Sequence, residues 1–280
     1  MALTDLTTLA RVKTWLGIPL LQTTSDAVLQ MVITSVSAQV MAYLERRSFR
    51  YQIYNDVYDG VGGNSQILRN WPVIQVLSVS VNDREIASED WSLEPWGGMP
   101  PGNHQAIILN SGRFSWSKQN VRISYGAGYQ TVDEELVPFF GPLAGSVPYV
   151  LEQQPFGLAL QTDRIVYTEK PDSNDPTPFQ RIDSPVPIDR RTYSYNPEVP
   201  GMLWMNGDDV GFILNVSYSY CPYAVEQTVW ELINEVYTRR SRPGQVSRAL
   251  AGQETSTFDM SGLPEFAKIA LQPFKSVLPL

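Results

Sequence analysis

Few residues in this chain carry the side chains that catalysis or metal binding requires. His104 is the single histidine and Cys221 the single cysteine. A serine hydrolase would have to pass its proton through His104. That residue stands in the loop-like PPGNHQ, and no GxSxG elbow accompanies it. One cysteine builds neither an internal disulfide nor a multi-cysteine metal site. Cys221 lies at a strand–helix junction without a histidine beside it, so a buried or half-buried thiol is expected. The carboxylate clusters Asp133-Glu134-Glu135 and Asp208-Asp209 could hold Ca²⁺ or serve glycoside hydrolysis. Their spacing matches no calcium loop, and two acids alone do not specify a glycosidase. Helix-start acids and a turn are the simpler readings. DGVGG (residues 59–63) and GAGYQT (residues 126–131) complete no phosphate-binding fingerprint and read as turns. Trp71, Trp91, Trp96, Trp116 and Trp204 could stack on sugar rings, yet large aromatics more often fill cores or subunit contacts. The chain therefore reads as no enzyme, with no catalytic residue, cofactor or metal expected.

The elements that would position such residues have to fit 280 residues, enough for one large domain or two ordinary ones. A hydrophobic fraction of 43% predicts a packed core. No unbroken apolar run approaches the roughly 18 residues of a membrane span. No basic stretch followed by an apolar segment opens the chain, so neither a membrane anchor nor a signal peptide is expected, and synthesis in a reducing cytosol is. The net charge is −8 and lies in one place. Residues 130–220 hold five basic and thirteen acidic groups, whereas the rest of the chain is balanced. Such a block argues against a phosphate-gripping surface. It reads most simply as a solvated acidic surface kept soluble by self-repulsion.

Thr8 can cap a short helix lined by Leu9, Val12 and Leu16, with Gly17 at its left-handed end. Ser25 or Asp26 opens a longer helix, apolar at Leu29, Val32, Ile33, Val36, Val40, Tyr43 and Leu44. Arg46 and Arg47 are expected in its last turn, where cations complement free carbonyls. Extended segments follow around Tyr51–Tyr58, 73–82, Trp91, 106–109 and 121–125, with a hairpin turn at Asn110-Ser111-Gly112. An antiparallel sheet made of hairpins is predicted. Asp133–Val137 has the look of a helix start that Pro138 stops. Short strands are expected at 164–168 and 191–195, and dense proline excludes long helices there. Phe212–Tyr220 is a strand. A helix from Pro222 carries Val225, Val229, Leu232, Ile233 and Val236 on one stripe, and ends at Arg239 and Arg240. Residues 244–261 suit an extended arm, and Leu263–Leu271 a last short helix.

Two strand endings are alike: VRISYGAGYQ at 121–130 and LNVSYSYCPYAVEQ at 214–227. Only the second runs into a helix. The simplest account is one strand–turn–helix unit interrupted by residues 130–213, the same block that carries the charge imbalance; chance repetition of a Ser-Tyr pair is the duller alternative. The fold class is then α+β. Residues 1–129 and 214–280 form a core of two N-terminal helices, a late long helix and an antiparallel sheet. Residues 130–213 are an acidic, β-rich or loop-rich insertion.

SDAVLQMVITSVSAQVMAYLERR, YNDVYDG, WPVIQVLSVSVND and VRISYGAGY, followed by PYAVEQTVWELINEVYTRRS and GLPEFAKIALQPFK, resemble in their order the head–tail connector (adaptor, or head-completion) family of tailed bacteriophages. The resemblance covers roughly residues 8–129 and 214–275 and excludes the block between. It implies a structural virion protein forming a homo-oligomeric ring, commonly a dodecamer, under the portal protein. Such a ring extends the DNA channel, passes DNA without sequence-specific binding, and offers a platform to the next neck or tail protein. It would lie in the virion neck after synthesis in the host cytoplasm. The C-terminal arm would dock on the portal through Leu263, Phe266, Ile269, Leu271 and Phe274. These apolar residues lie downstream of a polar arm in a segment too short to form its own core. Packing back on the same subunit is the alternative. A second reading makes residues 130–213 an attachment module for a tail fibre, a capsid protein or a glycan. A third, least supported, is a hydrolase using Asp208 and Asp209.

Overall fold

The computed structural model describes residues 5–95, 104–136, 146–151, 164–168, 180–181, 192–195, 202–206, 213–240, 247–248, 256–257 and 263–275. Trp96, Pro138 and Asp208-Asp209 lie outside them.

Helix α1 (Leu9–Trp15) starts at Thr8, whose hydroxyl accepts the Arg11 backbone N–H at 3.3 Å. It closes through Gly17 at φ +68°, where the Ile18 N–H returns to the Lys13 carbonyl at 2.8 Å; glycine supplies that left-handed turn at little cost. Lys13 is buried, and its Nζ joins Asp26 and the Leu20 carbonyl, each at 2.8 Å, tying α1 to the start of α2 (Asp26–Leu44). Along α2, Leu29, Ile33, Val36, Val40 and Leu44 form one buried stripe. This helix is long and apolar enough by length and composition to cross a membrane. Thr34, Ser35, Ser37 and Gln39 break up its apolar runs, which is why counting runs misses it, and its stripe lies in the protein core.

The helix stops before its arginines. Glu45 turns left-handed at φ +55°, and the Arg46 N–H returns to the Met41 carbonyl at 3.4 Å. Arg46 and Arg47 therefore follow the helix instead of occupying its last turn, and the reversal sends Arg46 inward.

The chain then supplies β1 (Gln52–Gly60), β2 (Ser65–Ile67), β3 (Val73–Val81), β4 (Arg84–Ile86), β5 (Trp91–Pro95), β6 (His104–Leu109) and β7 (Ser117–Ala127) to one seven-stranded antiparallel sheet. Its order is β1-β7-β3-β6-β2, with β4 on β3 and β5 on β6. Neighbouring strands do pair at β3–β4 and β5–β6, but β7 pairs with the distant β1 and β3. Residues 110–112 turn the chain without making a hairpin, because β6 and β7 are not partners. Phe114 is instead buried and exchanges backbone hydrogen bonds with Gly62 and Gly63 at 2.7 Å, pinning the connection across the loop after β1. Alternating residues Tyr54, Tyr58, Val79, Val81, Val121, Ile123 and Tyr125 fill the sheet core with Leu68, Ile107 and Phe114.

Strand β8 (Gln130–Leu136) occupies the place where a helix start was expected. Backbone pairing decides against the local acidic signal: Leu136, Glu135 and Glu134 lie opposite Leu214, Asn215 and Val216 of β14 (Ile213–Ser219). Between them come β9 (Ser146–Val150), β10 (Arg164–Thr168), β11 (Gln180–Arg181), β12 (Thr192–Tyr195) and β13 (Met202–Asn206). They form two sheets, β10-β14-β8 and β11-β12-β13-β9. Strand β14 thus shares a sheet with β8 and β10. Tyr220 N–H donates to the Tyr129 carbonyl at 3.0 Å, and their rings meet edge-on at 5.9 Å. The chain leaves for these two sheets and returns from them at one point.

Helix α3 (Tyr223–Arg239) lays Val225, Val229, Leu232 and Ile233 against α1 and α2. Val236, expected on that stripe, is 43% exposed, while Tyr237 beside it packs on the core and donates to Ser25 Oγ at 3.0 Å. In the polar stretch 244–261, β15 (Ser247–Arg248) pairs antiparallel with β16 (Ser256–Thr257), a short ladder where an extended arm was expected. Helix α4 (Glu265–Leu271) and a 3₁₀ turn at Gln272–Phe274 close the described chain. Residues from both ends build one helical core, in which Leu6, Val12, Leu29 and Ile33 meet Val229, Ile233, Ala267 and Leu271. The fold is α+β.

Candidate interaction site

The C-terminal segment lies on its own subunit. Ala267 and Leu271, one helical turn apart, are fully buried in the helical core, and α4 packs on α3. Leu263 and Phe274 pack partly buried against the same core, with the Phe274 ring 6.3 Å from Tyr129. Leu271, and in large part Leu263 and Phe274, are therefore not the free apolar arm that the sequence suggests. A segment too short for its own core finds shelter on α3 and the end of α2. The opposite face of α4 differs: Phe266 is 45% and Ile269 65% exposed. The five candidates thus separate into an anchoring set and an outward pair three residues apart, which share one helix face.

Arg46 secures the anchor. Its Nε donates to the Phe274 carbonyl at 2.5 Å and its Nη1 to the Trp71 carbonyl at 2.6 Å. The guanidinium lies 3.7 Å from the Trp71 ring centre, with Phe49 at 5.2 Å and Tyr129 at 5.6 Å. Burial brings its pKa down to about 10, which leaves it a cation at neutral pH. Beside it, Glu45 pairs with Lys275 at 3.1 Å, and Lys275 sits 5.2 Å from the Tyr43 ring. Nothing in the local sequence distinguishes the inward Arg46 from the exposed Arg47; the left-handed turn at Glu45 does.

A second clamp joins α1 to α3. Thr7 donates to Glu226 Oε1 at 2.8 Å while accepting from Trp230 Nε1 at 2.7 Å. Arg11 pairs closely with Glu226 Oε2 and lies 4.9 Å from the Trp230 ring. Burial pushes the Glu226 carboxyl up to about 7, outweighing the pull of Arg11 and the Thr7 hydrogen bond. Cys221 is buried nearby; burial, then the Glu226 charge, raises its thiol pKa, which makes it a poor nucleophile.

In the sheet, Asp56 Oδ2 accepts from the Tyr125 hydroxyl at 2.7 Å, the Tyr58 hydroxyl at 3.1 Å and Asn70 Nδ2 at 3.4 Å. The Arg69 and Asn70 N–H groups donate to those same two tyrosines, at 3.1 and 3.2 Å. Burial pushes Tyr58 up to about 12 and raises Tyr125 further.

The remaining candidates are dispersed. His104 heads β6 opposite Val73, and Asp133–Glu135 belong to β8. Trp71 lines the helical core, Trp91 packs on the sheet core, and Trp116 is 81% exposed, so these three share no sugar-stacking face. Gly126, read as part of a turn, lies inside β7, where a Cβ would overlap the Tyr51 ring; Gly128 at φ +136° makes the turn. Among the described residues no three His, Cys, Asp or Glu side chains converge as a metal site requires. No protein-family model and no curated protein sequence matches the chain.

Proposed function

We propose that this protein is a non-enzymatic connector: a homo-oligomeric ring, commonly a dodecamer in the family it resembles, between the portal and the next neck or tail protein of a phage virion. The observation that carries this reading is the assembly of both chain ends into one helical body that turns the apolar pair Phe266 and Ile269 outward. That pair, exposed on an anchored helix, suits burial against another chain. In this reading Leu271 and Phe274 hold α4 in place, Leu263 flanks it, and Phe266 and Ile269 make the portal contact. A net charge of −8 suits a channel that lets DNA slide without gripping its phosphates. Native mass measurement and negative-stain imaging, alone and with a portal, test the reading. Ring-shaped particles that bind the portal are expected; a monomer that ignores the portal overturns it.

A second reading is supported by the contact of Tyr129 with Tyr220. Residues 130–219 leave and rejoin the body at one point, the geometry of an attachment module for a tail fibre, capsid protein or glycan. Joining Tyr129 to Tyr220 through a short glycine linker should preserve ring formation and abolish one binding partner. Loss of folding would place these strands in the essential core.

A further inference from the structure

We propose that the cleft between the end of α2 and the turn at residues 69–71 is a carboxylate-binding site. This inference stands independently of the ring. The cleft is lined by Glu45, Arg46, Arg47, Arg69, Asn70 and Trp71. It gathers three guanidinium groups in a protein of net charge −8. Among the described residues, none of the three forms an ion pair. The acids nearby are engaged elsewhere: Glu45 by Lys275, and Asp56 by Tyr125, Tyr58 and Asn70.

Arg46 makes the case specific. Charged side chains withdrawn from water are as a rule paired. Arg46 has instead two carbonyls and three aromatic faces, and among the described residues its Nη2 has no hydrogen-bond acceptor. The indole N–H of Trp71, which carries the guanidinium on its ring, has none either. Two such donors and two exposed arginines on one cleft offer an anion both positive charge and hydrogen bonds. The innermost space of the cleft is about 10 Å³, room for one water or one oxygen. A flat carboxylate can place one oxygen there and offer the other to Arg47 or Arg69. Planar guanidinium groups suit such two-point recognition.

The test uses the full-length protein at constant ionic strength. Glutarate, an acidic hexapeptide of glutamates, inorganic phosphate and chloride are titrated in turn, with melting temperature and tryptophan fluorescence as readouts. Glutarate or the peptide should give a saturable rise in melting temperature. Affinity should fall at least about tenfold in the R47A/R69A variant, whose substituted side chains are exposed, and about tenfold in R46K, which keeps the charge without the planar fork. Tighter binding of the peptide than of glutarate assigns the carboxylate to a protein side chain, and the reverse assigns it to a small acid. Equal responses to chloride or phosphate, no saturable response to either carboxylate, or undiminished binding in R47A/R69A overturns the proposal.

Discussion

The helical core and the sheet core of this protein close over different chemistry. The helical core encloses charged groups, Arg46 and Glu226 among them, and draws its members from residues as far apart as Leu6 and Leu271. The sheet core is gathered from residues 54–127, and its polar cluster is two tyrosine hydroxyls and an amide around Asp56 at its rim. Long-range closure thus coincides with buried charge, and shorter-range closure with hydroxyl and amide donors gathered on one half-buried carboxylate. Buried charges fix which surfaces meet, because a wrong partner leaves them uncompensated. Hydroxyl networks add rigidity without that penalty.

This contrast can be broken or sharpened by substitution. The largest effect is expected for Leu271→Ala, which opens a cavity where α4 meets the helical core; a loss of about 2–5 kcal/mol in chemical denaturation is expected. An unchanged midpoint would show that α4 contributes nothing to that core. Next comes the pH response of Glu226. Its native pKa of about 7 lies above the 4.5 of a free carboxylate, so the native state holds the proton more tightly. The stabilising contribution is complete below about pH 4.5 and is lost as pH rises to about 7. Measured against Glu226→Gln, wild-type stability should fall by about 2–3 kcal/mol between about pH 5 and pH 8. Parallel profiles for the two proteins would refute the link to this carboxyl.

For the sheet core, Asp56→Asn should cost about 1–3 kcal/mol by weakening three hydrogen bonds. It should add no pH dependence in the same range, because Tyr58 titrates near 12. A pH-dependent difference would erase the distinction between the cores. The smallest effect on stability belongs to the double change Phe266→Ser, Ile269→Ser. Folding free energy should stay within about 0.5 kcal/mol, since both side chains are exposed. Portal capture should nevertheless be lost, and its survival would move the contact elsewhere.

The helices were legible because their signals are local. Thr8, Gly17 and the stripe from Leu29 to Leu44 act within a few residues, and each stands where its pattern requires. Strand β8 was illegible because its partner lies some eighty positions further on, and Asp133-Glu134-Glu135 look the same in a helix start as in a ladder. The site was half legible. Leu263, Phe266, Ile269, Leu271 and Phe274 stood out as apolar, but α4 carries such residues on two faces, and composition alone does not say which face the subunit keeps. Arg46 escaped because its role depends on a backbone reversal one residue earlier and on aromatic rings brought from positions 71 and 129.

The wide separation of the pieces in the helical core has a consequence for biosynthesis. The sheet can condense as soon as residue 127 has cleared the ribosome, whereas α1 and α2 must wait, with Leu29, Ile33 and Val40 uncovered, until α3 emerges some hundred codons later. Throughout that interval the nascent protein is a finished sheet trailing a sticky pair of helices, the form in which a chaperone, or a premature encounter with a sister chain, would find it.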